Sequence, residues 1–510
     1  MAYKIYNIYV ITPFLVIGGL LQGFDISSLS AILSEKVFTE KFDSPNAVQQ
    51  GGITASISGG SFLGCLINMF VVDRIGRRST MMVGCIVFII GAIICTASVD
   101  IAMLIVGRMF CGGAVGMFTS TGPLYLAELC LPAVRGRILS FQQWSITWGA
   151  LVMYYITFGT SYTDSEAAFR VPWAVQIAPA AVLFVALFFI PRSPRWLASQ
   201  DRWEETLEVL THLHGGGDPE APIVQAQYAE IREAMSVSES QGKVRWAELI
   251  HRDNIHRISA GIFVHIWTQL SGNNAMLYYI VYIFEMAGLT GNVKLIASSV
   301  QYIINVVFTL PAILFLDRIG RRPALIGGAF FMMIWLYSNA GVMAQYGHYV
   351  PGGFDGSSAV TWTMDSTNTK AKAAVIAFTY LLVATYSFTW APISWCYPSE
   401  IYPIRLRGKA VSIATSANWA LGFSNSYFTP PAFQNIQWRT FIIFGTFNLV
   451  ACIHAFFFFP ETKKKSLEDI DELFASGVKP WKKTTLPRDR LEEMIEGAGN
   501  GKLQLEVADA

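Results

Sequence analysis

Twelve stretches of this sequence run for about 20 residues each with almost no charge, near 9–32, 51–72, 80–98, 101–126, 138–160, 171–190, 258–286, 294–316, 323–344, 372–397, 410–432 and 438–459. A helix of about 20 apolar residues crosses the ~30 Å of hydrocarbon in a bilayer and satisfies its own backbone there. The expected fold is therefore an all-α membrane protein with twelve transmembrane helices. Composition agrees: of 510 residues 53% are hydrophobic and 14% charged, where a soluble chain carries about 25% charged residues. Too little polar surface is left to coat the soluble domains that such a length would otherwise imply. A membrane β-barrel would show short alternating segments instead of continuous runs. The first run begins within ten residues of Met1 and exceeds the apolar core of a cleaved signal peptide, so it is expected to be retained.

Orientation follows from the bases. Arg74, Arg77 and Arg78, then Arg135 and Arg137, then Arg318, Arg321 and Arg322, then Arg405, Arg407 and Lys409 all fall in short connections on one side. The positive-inside rule makes that side cytoplasmic, and both termini share it. The opposite loops hold no comparable cluster, and the longest, about 345–371, is rich in Gly, Ser and Thr. With 37 Lys+Arg against 36 Asp+Glu, no global field favours nucleic acid, and no obligate protein partner is evident.

The chain also repeats itself. Asp73-Arg-Ile-Gly-Arg-Arg78 and Asp317-Arg-Ile-Gly-Arg-Arg322 are identical and lie 244 residues apart. Glu128 with Arg135-Gly136 recurs as Glu400 with Arg407-Gly408, and Pro191-Arg-Ser-Pro194 recurs loosely as Pro460-Glu-Thr-Lys463. The expected organisation is a six-helix half over 1–191, a cytoplasmic helical linker over 192–256, a second six-helix half over 257–460, and a charged tail over 461–510, mobile or loosely helical. No Gly-rich phosphate loop occurs, which speaks against an ATP-driven pump. No cofactor is implied. The seven cysteines form no C-x-x-C pair, and His265 and His454 have no second ligand near in sequence, so they are read as packing residues and no metal site is expected.

Two six-helix repeats around a central site are the plan of many secondary transporters. The interior charges of the runs are Asp25 in the first and Arg108 in the fourth, with Glu285 near the outer end of the seventh. Insertion scales put a charge at mid-membrane at about 2.5–3.5 kcal/mol, so such residues are usually paired and functional. Both charges stand about seven residues from the outer end of their runs, roughly 10 Å deep at 1.5 Å per residue, and can meet. A carboxylate that alternates between an arginine partner and protonation is a proton carrier; the plainer alternative is a permanent salt bridge tying two helices. Gln142, Gln143, Gln269, Asn273, Asn274, Asn305 and Asn418 form a second constellation. Amides donate and accept, which suits hydroxyl groups, and Trp395, Trp419, Tyr278, Tyr279 and Phe24 offer flat faces for the C–H face of a pyranose. A neutral, hydroxyl-rich solute fits these better than an ion, although single amides in membrane helices also serve as interhelical glue.

These motifs resemble those of the sugar porter family of the major facilitator superfamily. The first half carries Gly23-Phe-Asp25, Asp73-Arg-Ile-Gly-Arg-Arg78, Gly107-Arg108, Pro123-Leu-Tyr-Leu-Ala-Glu-Leu129 with Arg135-Gly136-Arg137, and Pro191-Arg-Ser-Pro-Arg-Trp196. The second carries Gln269-Leu-Ser-Gly-Asn-Asn274, Asp317-Arg-Ile-Gly-Arg-Arg322, Tyr397-Pro-Ser-Glu-Ile-Tyr-Pro403 with Arg407-Gly408, and Pro460-Glu-Thr-Lys463, while Thr389-Trp-Ala-Pro-Ile-Ser-Trp395 looks fungal. The resemblance implies a major facilitator fold, no enzymatic activity, and roles at matching positions. Proton-coupled members have Asp at the place of Asp25, paired with the arginine matching Arg108. Gln143, Gln269, Asn274, Asn305, Trp395 and Asn418 match sugar contacts, to which Phe24 and Asn273 are added from the residue reading. Asp73, Arg77, Arg78, Glu128, Arg135, Asp317, Arg321, Arg322, Glu400 and Arg407 match a cytoplasmic gating network that holds the halves together while the cavity faces outward. Three departures stand out: Thr268 for the first glutamine of a pair, Ala150 for a further glutamine, and Arg192 for an acid, which removes or rearranges one cytoplasmic salt bridge. The expected protein is a plasma-membrane importer of a monosaccharide, a hexose such as glucose or else xylose, with a proton. A facilitative uniporter and a non-transporting sugar sensor are the alternatives.

Overall fold

The computed structural model describes residues 5–32, 36–42, 47–160, 162–240, 247–289, 292–351, 353–354, 360–365, 368–403, 406–463, 465, 467–475 and 479–481. Arg405 of the fourth basic cluster and most of the charged tail lie outside them. Nine helical spans among the described residues are long and apolar enough to cross a membrane: Ile8–Ser28, Gly51–Ile75, Arg77–Thr96, Ile101–Leu129, Ala167–Ala186, Ile296–Ile319, Arg321–Tyr346, Thr369–Ile401 and Arg439–Phe458. They are the first to fourth, sixth, eighth to tenth and twelfth spans.

The remaining three are informative. The fifth, Pro132–Thr160, and the eleventh, Arg407–Asn435, are 29 residues long, but each carries a row of buried polar side chains, Gln142, Gln143, Ser145 and Thr147 in one and Thr415, Ser416, Asn418 and Asn425 in the other. The seventh, expected as one run, is broken into Arg252–Leu270, Asn273–Tyr278 and Ile280–Met286, with Gly272 left-handed at φ 84°. Polar or broken helices are tolerated at membrane depth where they face protein or line a cavity. These three spans converge on such a cavity.

Two separate apolar cores hold the spans. One gathers Leu15, Phe88, Phe118, Leu139, Trp173 and Leu187 from the first six, the other Met332, Leu336, Trp390, Phe441 and Phe459 from the last six. The halves meet where the second span packs on the eleventh and the fifth on the eighth. Within the first half, Gly23 and Gly149 let the first and fifth spans approach so closely that a Cβ on either would overlap the other helix's backbone, the small-residue packing usual where helices touch in lipid. That contact sets Asp25, two residues on, at a fixed depth.

The face carrying the arginine motifs is termed the basic face. The linker lies there as helices Pro194–Ser199, Trp203–His214 and Pro222–Ser240, around a small core of Ala198, Leu210, Val224, Ile231 and Met235. His214 docks it: Nδ1 lies 2.6 Å from Gln227 Oε1 and Nε2 3.2 Å from the Leu129 carbonyl at the end of the fourth span. Burial holds its imidazole pKa below the usual value. The start of the tail is a docked helix, Leu467–Ala475, where a loosely held segment was expected. Leu467, Ile470 and Leu473 are buried, and Asp471 pairs with Arg257 at 2.6 Å.

At the opposite face, part of the Gly/Ser/Thr-rich loop forms an antiparallel ribbon of Gly347–Tyr349 and Trp362–Met364. It ties the ends of neighbouring spans, Thr361 Oγ1 donating to the Gln434 carbonyl at 2.6 Å and Thr363 Oγ1 to the Glu285 carbonyl at 3.2 Å.

Candidate functional site

Between the halves lies a cavity lined by side chains of both. Gln143, Ile146, Thr147 and Ala150 of the fifth span line one wall; Thr268, Gln269, Asn274, Leu277 and Tyr278 of the broken seventh and Asn418, Trp419 and Gly422 of the eleventh line the other. Gln22, Ile26, Ser58, Tyr302, Asn305, Tyr386 and Trp395 complete it.

The amides are pre-oriented by one another. Asn274 Nδ2 donates to Gln269 Oε1 at 2.9 Å, Gln269 Nε2 donates to Asn418 Oδ1 at 3.0 Å, and Asn425 Nδ2 holds the Gln269 carbonyl at 2.8 Å. Across the cavity Trp395 Nε1 donates to Gln143 Oε1 at 2.9 Å, and Asn305 Oδ1 accepts from Ser387 Oγ at 2.7 Å. A carboxamide has two donors and a two-lone-pair acceptor, so each of these retains capacity for a ligand's hydroxyl groups. The indoles of Trp395 and Trp419 add flat apolar wall; Trp419 Nε1 is itself held by Thr119 Oγ1 at 3.2 Å.

Six of the eight expected contact residues therefore meet: Gln143, Gln269, Asn274, Asn305, Trp395 and Asn418. Phe24 and Asn273 are buried but do not line the cavity. Asn273 adjoins Asn274 of the wall, and Phe24 lies two residues from both Gln22 and Ile26; one step along a helix turns a side chain by about 100°. The Thr268 hydroxyl donates to the Val264 carbonyl at 2.7 Å on its own helix, so this departure shortens the arm and also turns it inward. Ala150 sits with Tyr154, Leu277 and Tyr302 in an apolar corner. His265 packs edge-on to Trp395, and His454 accepts from Trp267 Nε1 at 3.2 Å.

The depth arithmetic holds for the two charges. Arg108 Nη1 stands 3.3 Å from Asp25 Oδ1, both nearly inaccessible, and Arg108 Nε donates to the Ile53 carbonyl at 2.9 Å. Gln22 and Ile26, flanking Asp25 on the first span, reach the cavity wall. Asp25 thus sits within one turn of two residues that line the cavity.

On the basic face the repeat is visible atom by atom. Arg77 lies between Asp73 at 3.2 Å and Glu128 at 2.9 Å, and Arg321 between Asp317 at 3.0 Å and Glu400 at 2.8 Å. Arg78 Nη2 donates to the Phe188 carbonyl and Arg322 Nη2 to the Phe456 carbonyl, each closing its half. Arg135 Nη1 reaches the Lys465 carbonyl at 3.3 Å and Arg407 Nε the Tyr402 carbonyl at 2.8 Å. The halves then cross. Asp317 Oδ2 accepts from the Arg137 backbone N–H at 2.8 Å, against Gly136, where a Cβ would strike its carboxylate. Asp73 lies in the same way against Gly408. At the departure, Glu461 accepts from the backbone N–H groups of Arg321 and Arg322 at 2.9 and 3.0 Å. Its counterpart Arg192 stacks on Trp196, whose ring covers Gly76 and whose Nε1 donates to the Asp73 carbonyl at 3.0 Å. A ring replaces a carboxylate.

Sequence reasoning did not single out Asn68, Asn425 or Asn448. Asn68 Nδ2 bonds Ser120 Oγ at 2.7 Å and, across the halves, Ser412 Oγ at 3.1 Å. The available signal was an isolated amide within an apolar run.

The family described as Sugar (and other) transporter matches residues 11–474. A high-affinity glucose transporter of Kluyveromyces lactis is 43% identical over 478 residues, covering 94% of this chain and 87% of the relative. The MFS glucose transporter mfs1 of Aspergillus flavus is 42% identical over 514 residues, covering 99% and 96%. The proton:xylose symporter XylE bound to 6-bromo-6-deoxy-D-glucose superposes with a TM-score of 0.78 at 24% identity, over 92% of this chain and 99% of that one. The inward open form of XylE from E. coli superposes with 0.65 at 23% identity, over 91% and 99%. A membrane-spanning sugar transporter, not an enzyme, accounts for the cavity, the paired halves and these relatives together, and the chain belongs to the sugar porter family of the major facilitator superfamily.

Proposed function

We propose that this protein imports a hexose such as glucose together with a proton across the plasma membrane, with the basic face and both termini cytoplasmic. The observation that carries the coupling is the Asp25–Arg108 pair, buried at 3.3 Å, with Asp25 between Gln22 and Ile26 of the cavity wall in sequence. The closed contacts of Asp73 and Asp317 at the basic face support an outward-facing state. Sugar enters from the ribbon side and its hydroxyl groups engage Gln143, Gln269, Asn274, Asn305 and Asn418, with its apolar face against Trp395. Protonation of Asp25 neutralises the carboxylate and releases Arg108, which lowers the cost of moving the first span against the fourth. The halves then rock, the Arg77 and Arg321 networks part, and sugar and proton leave inward. The glucose-transporter names of the relatives at 43% and 42% identity support the substrate class, and the apolar corner at Ala150, Leu277 and Tyr302 suits a ring substituent such as a hydroxymethyl group.

The test is uptake by Asp25→Asn in proteoliposomes with and without an imposed pH gradient. Gradient-driven accumulation is expected to vanish, the internal sugar level stopping at the external one while exchange at equal concentrations persists. Accumulation above the external level in that variant would show that Asp25 does not carry the coupling proton, whereas unsubstituted protein that never exceeds the external level under the gradient would leave uniport with a structural Asp25–Arg108 pair as the reading to adopt.

A further inference from the structure

A break in a membrane helix frees backbone carbonyls that hydrocarbon cannot satisfy. At the break in the seventh span two such carbonyls are taken by amides from neighbouring spans. Asn425 Nδ2 holds the Gln269 carbonyl at 2.8 Å. Asn448 Nδ2, on the twelfth span, donates to the Ser271 carbonyl at 3.0 Å and to the Phe444 carbonyl of its own helix at 2.8 Å. The Phe444 ring covers Gly272, where a Cβ would approach it to 2.8 Å. Asn448 is itself fully buried and lines no part of the cavity.

The piece beyond the break is held differently. Asn273–Tyr278 carries Asn274, Leu277 and Tyr278 to the cavity wall. Its first residue, Asn273, is 0% exposed, and neither of its side-chain amide atoms has a partner among the described residues. A buried donor or acceptor without a partner is costly, and a native structure that carries one needs a reason for it. The piece is thus located by clamps on the backbone before it, and its own leading side chain gains by any movement that finds a partner.

We propose that Asn448 is a positioning residue for sugar binding: its bond to the Ser271 carbonyl fixes the pivot from which Asn273–Tyr278 swings over the cavity, and the unpartnered Asn273 amide biases that swing. The inference rests on the reading that Gln269 and Asn274 contact the sugar, and the experiment separates the two.

Labelled glucose uptake is measured in proteoliposomes for the full chain carrying Asn448→Leu, Asn448→Gln, Asn273→Leu or Asn274→Ala. Asn448→Leu, of similar volume without the donor, is expected to raise KM about tenfold with kcat changed by no more than about twofold. Asn448→Gln keeps a donor and is expected to recover most of that loss, which a packing role would not predict. Asn273→Leu is expected to raise the melting temperature of the purified protein and lower kcat about threefold, because the swing loses its bias. An unchanged KM in Asn448→Leu, or no recovery in Asn448→Gln, overturns the proposal if Asn274→Ala raises KM. An unchanged KM in Asn274→Ala overturns the sugar-contact reading instead. Should Asn448→Leu not fold, Asn273→Leu decides: a lowered melting temperature with unchanged kcat overturns the proposal.

Discussion

In the first half Arg77 sits 3.2 and 2.9 Å from Asp73 and Glu128, and in the second Arg321 sits 3.0 and 2.8 Å from Asp317 and Glu400. At the basic face the two halves are the same device built twice. At the cavity they differ. The first half brings a buried ion pair and a continuous fifth span with one cross-cavity amide bond, Trp395 to Gln143. The second brings a broken seventh span and a chain of three amides centred on Gln269. A duplicated frame has kept its basic-face networks symmetrical and divided the cavity, with the buried ion pair on one side and the linked amides on the other.

Breaking the shared part should cost most. Gly136→Leu or Gly408→Leu puts a side chain into the Asp317 or Asp73 carboxylate, so the basic face cannot close, and transport is expected to fall about a hundredfold in either variant, an overpacking penalty at a contact with no free space. Equal losses in normally inserted protein, measured as initial uptake rates, would affirm the symmetry; a loss in only one would end it. The divided part should respond unequally. Gln269→Ala removes a hub and is expected to raise KM for glucose about thirtyfold, whereas Gln143→Ala, with a single described bond, should raise it about fivefold. A competition assay giving the reverse order would relocate the sugar to the first half. The smallest effect concerns the asymmetry within the gate. Arg192→Glu restores an acid near the start of the third span, matching Glu461 at the ninth, and a carboxylate at a helix N-terminus adds about 0.3–1 kcal/mol. A melting temperature higher by about 1 °C is expected in the purified protein, and a decrease would mean that the Arg192–Trp196 stack is the better closure.

Much of this could be read before any coordinates. Apolar length located the spans, because hydrocarbon imposes one simple requirement on every residue of a run. Asp25 and Arg108 could be paired because depth follows from counting residues. The break in the seventh span could not, since glycine is common in membrane helices and the polar stretch around Gly272, from Thr268 to Asn274, is equally compatible with an unbroken helix whose amides face a cavity. Asn425 and Asn448 announced only that they would be satisfied if buried; which carbonyl satisfies them depends on a neighbouring helix far away in sequence. Phe24 and Asn273 were assigned to the cavity on chemistry alone, and the facing of a side chain is decided by packing. The docked helix Leu467–Ala475 was hidden by the mixed charge around it, although Leu467, Ile470 and Leu473 share one of its faces.

The crossing of Asp73 with Gly408 and Asp317 with Gly136 has a further consequence. Asp73 and Asp317 are equivalent in the repeat, and so are the two glycines. Residue i of one unit meets residue j of the other, while j of the first meets i of the second, which is the form of an isologous dimer interface. A single six-helix unit therefore encodes both surfaces of this contact. Two identical copies, facing each other about a twofold axis, could close this contact without any residue that the one unit does not already possess.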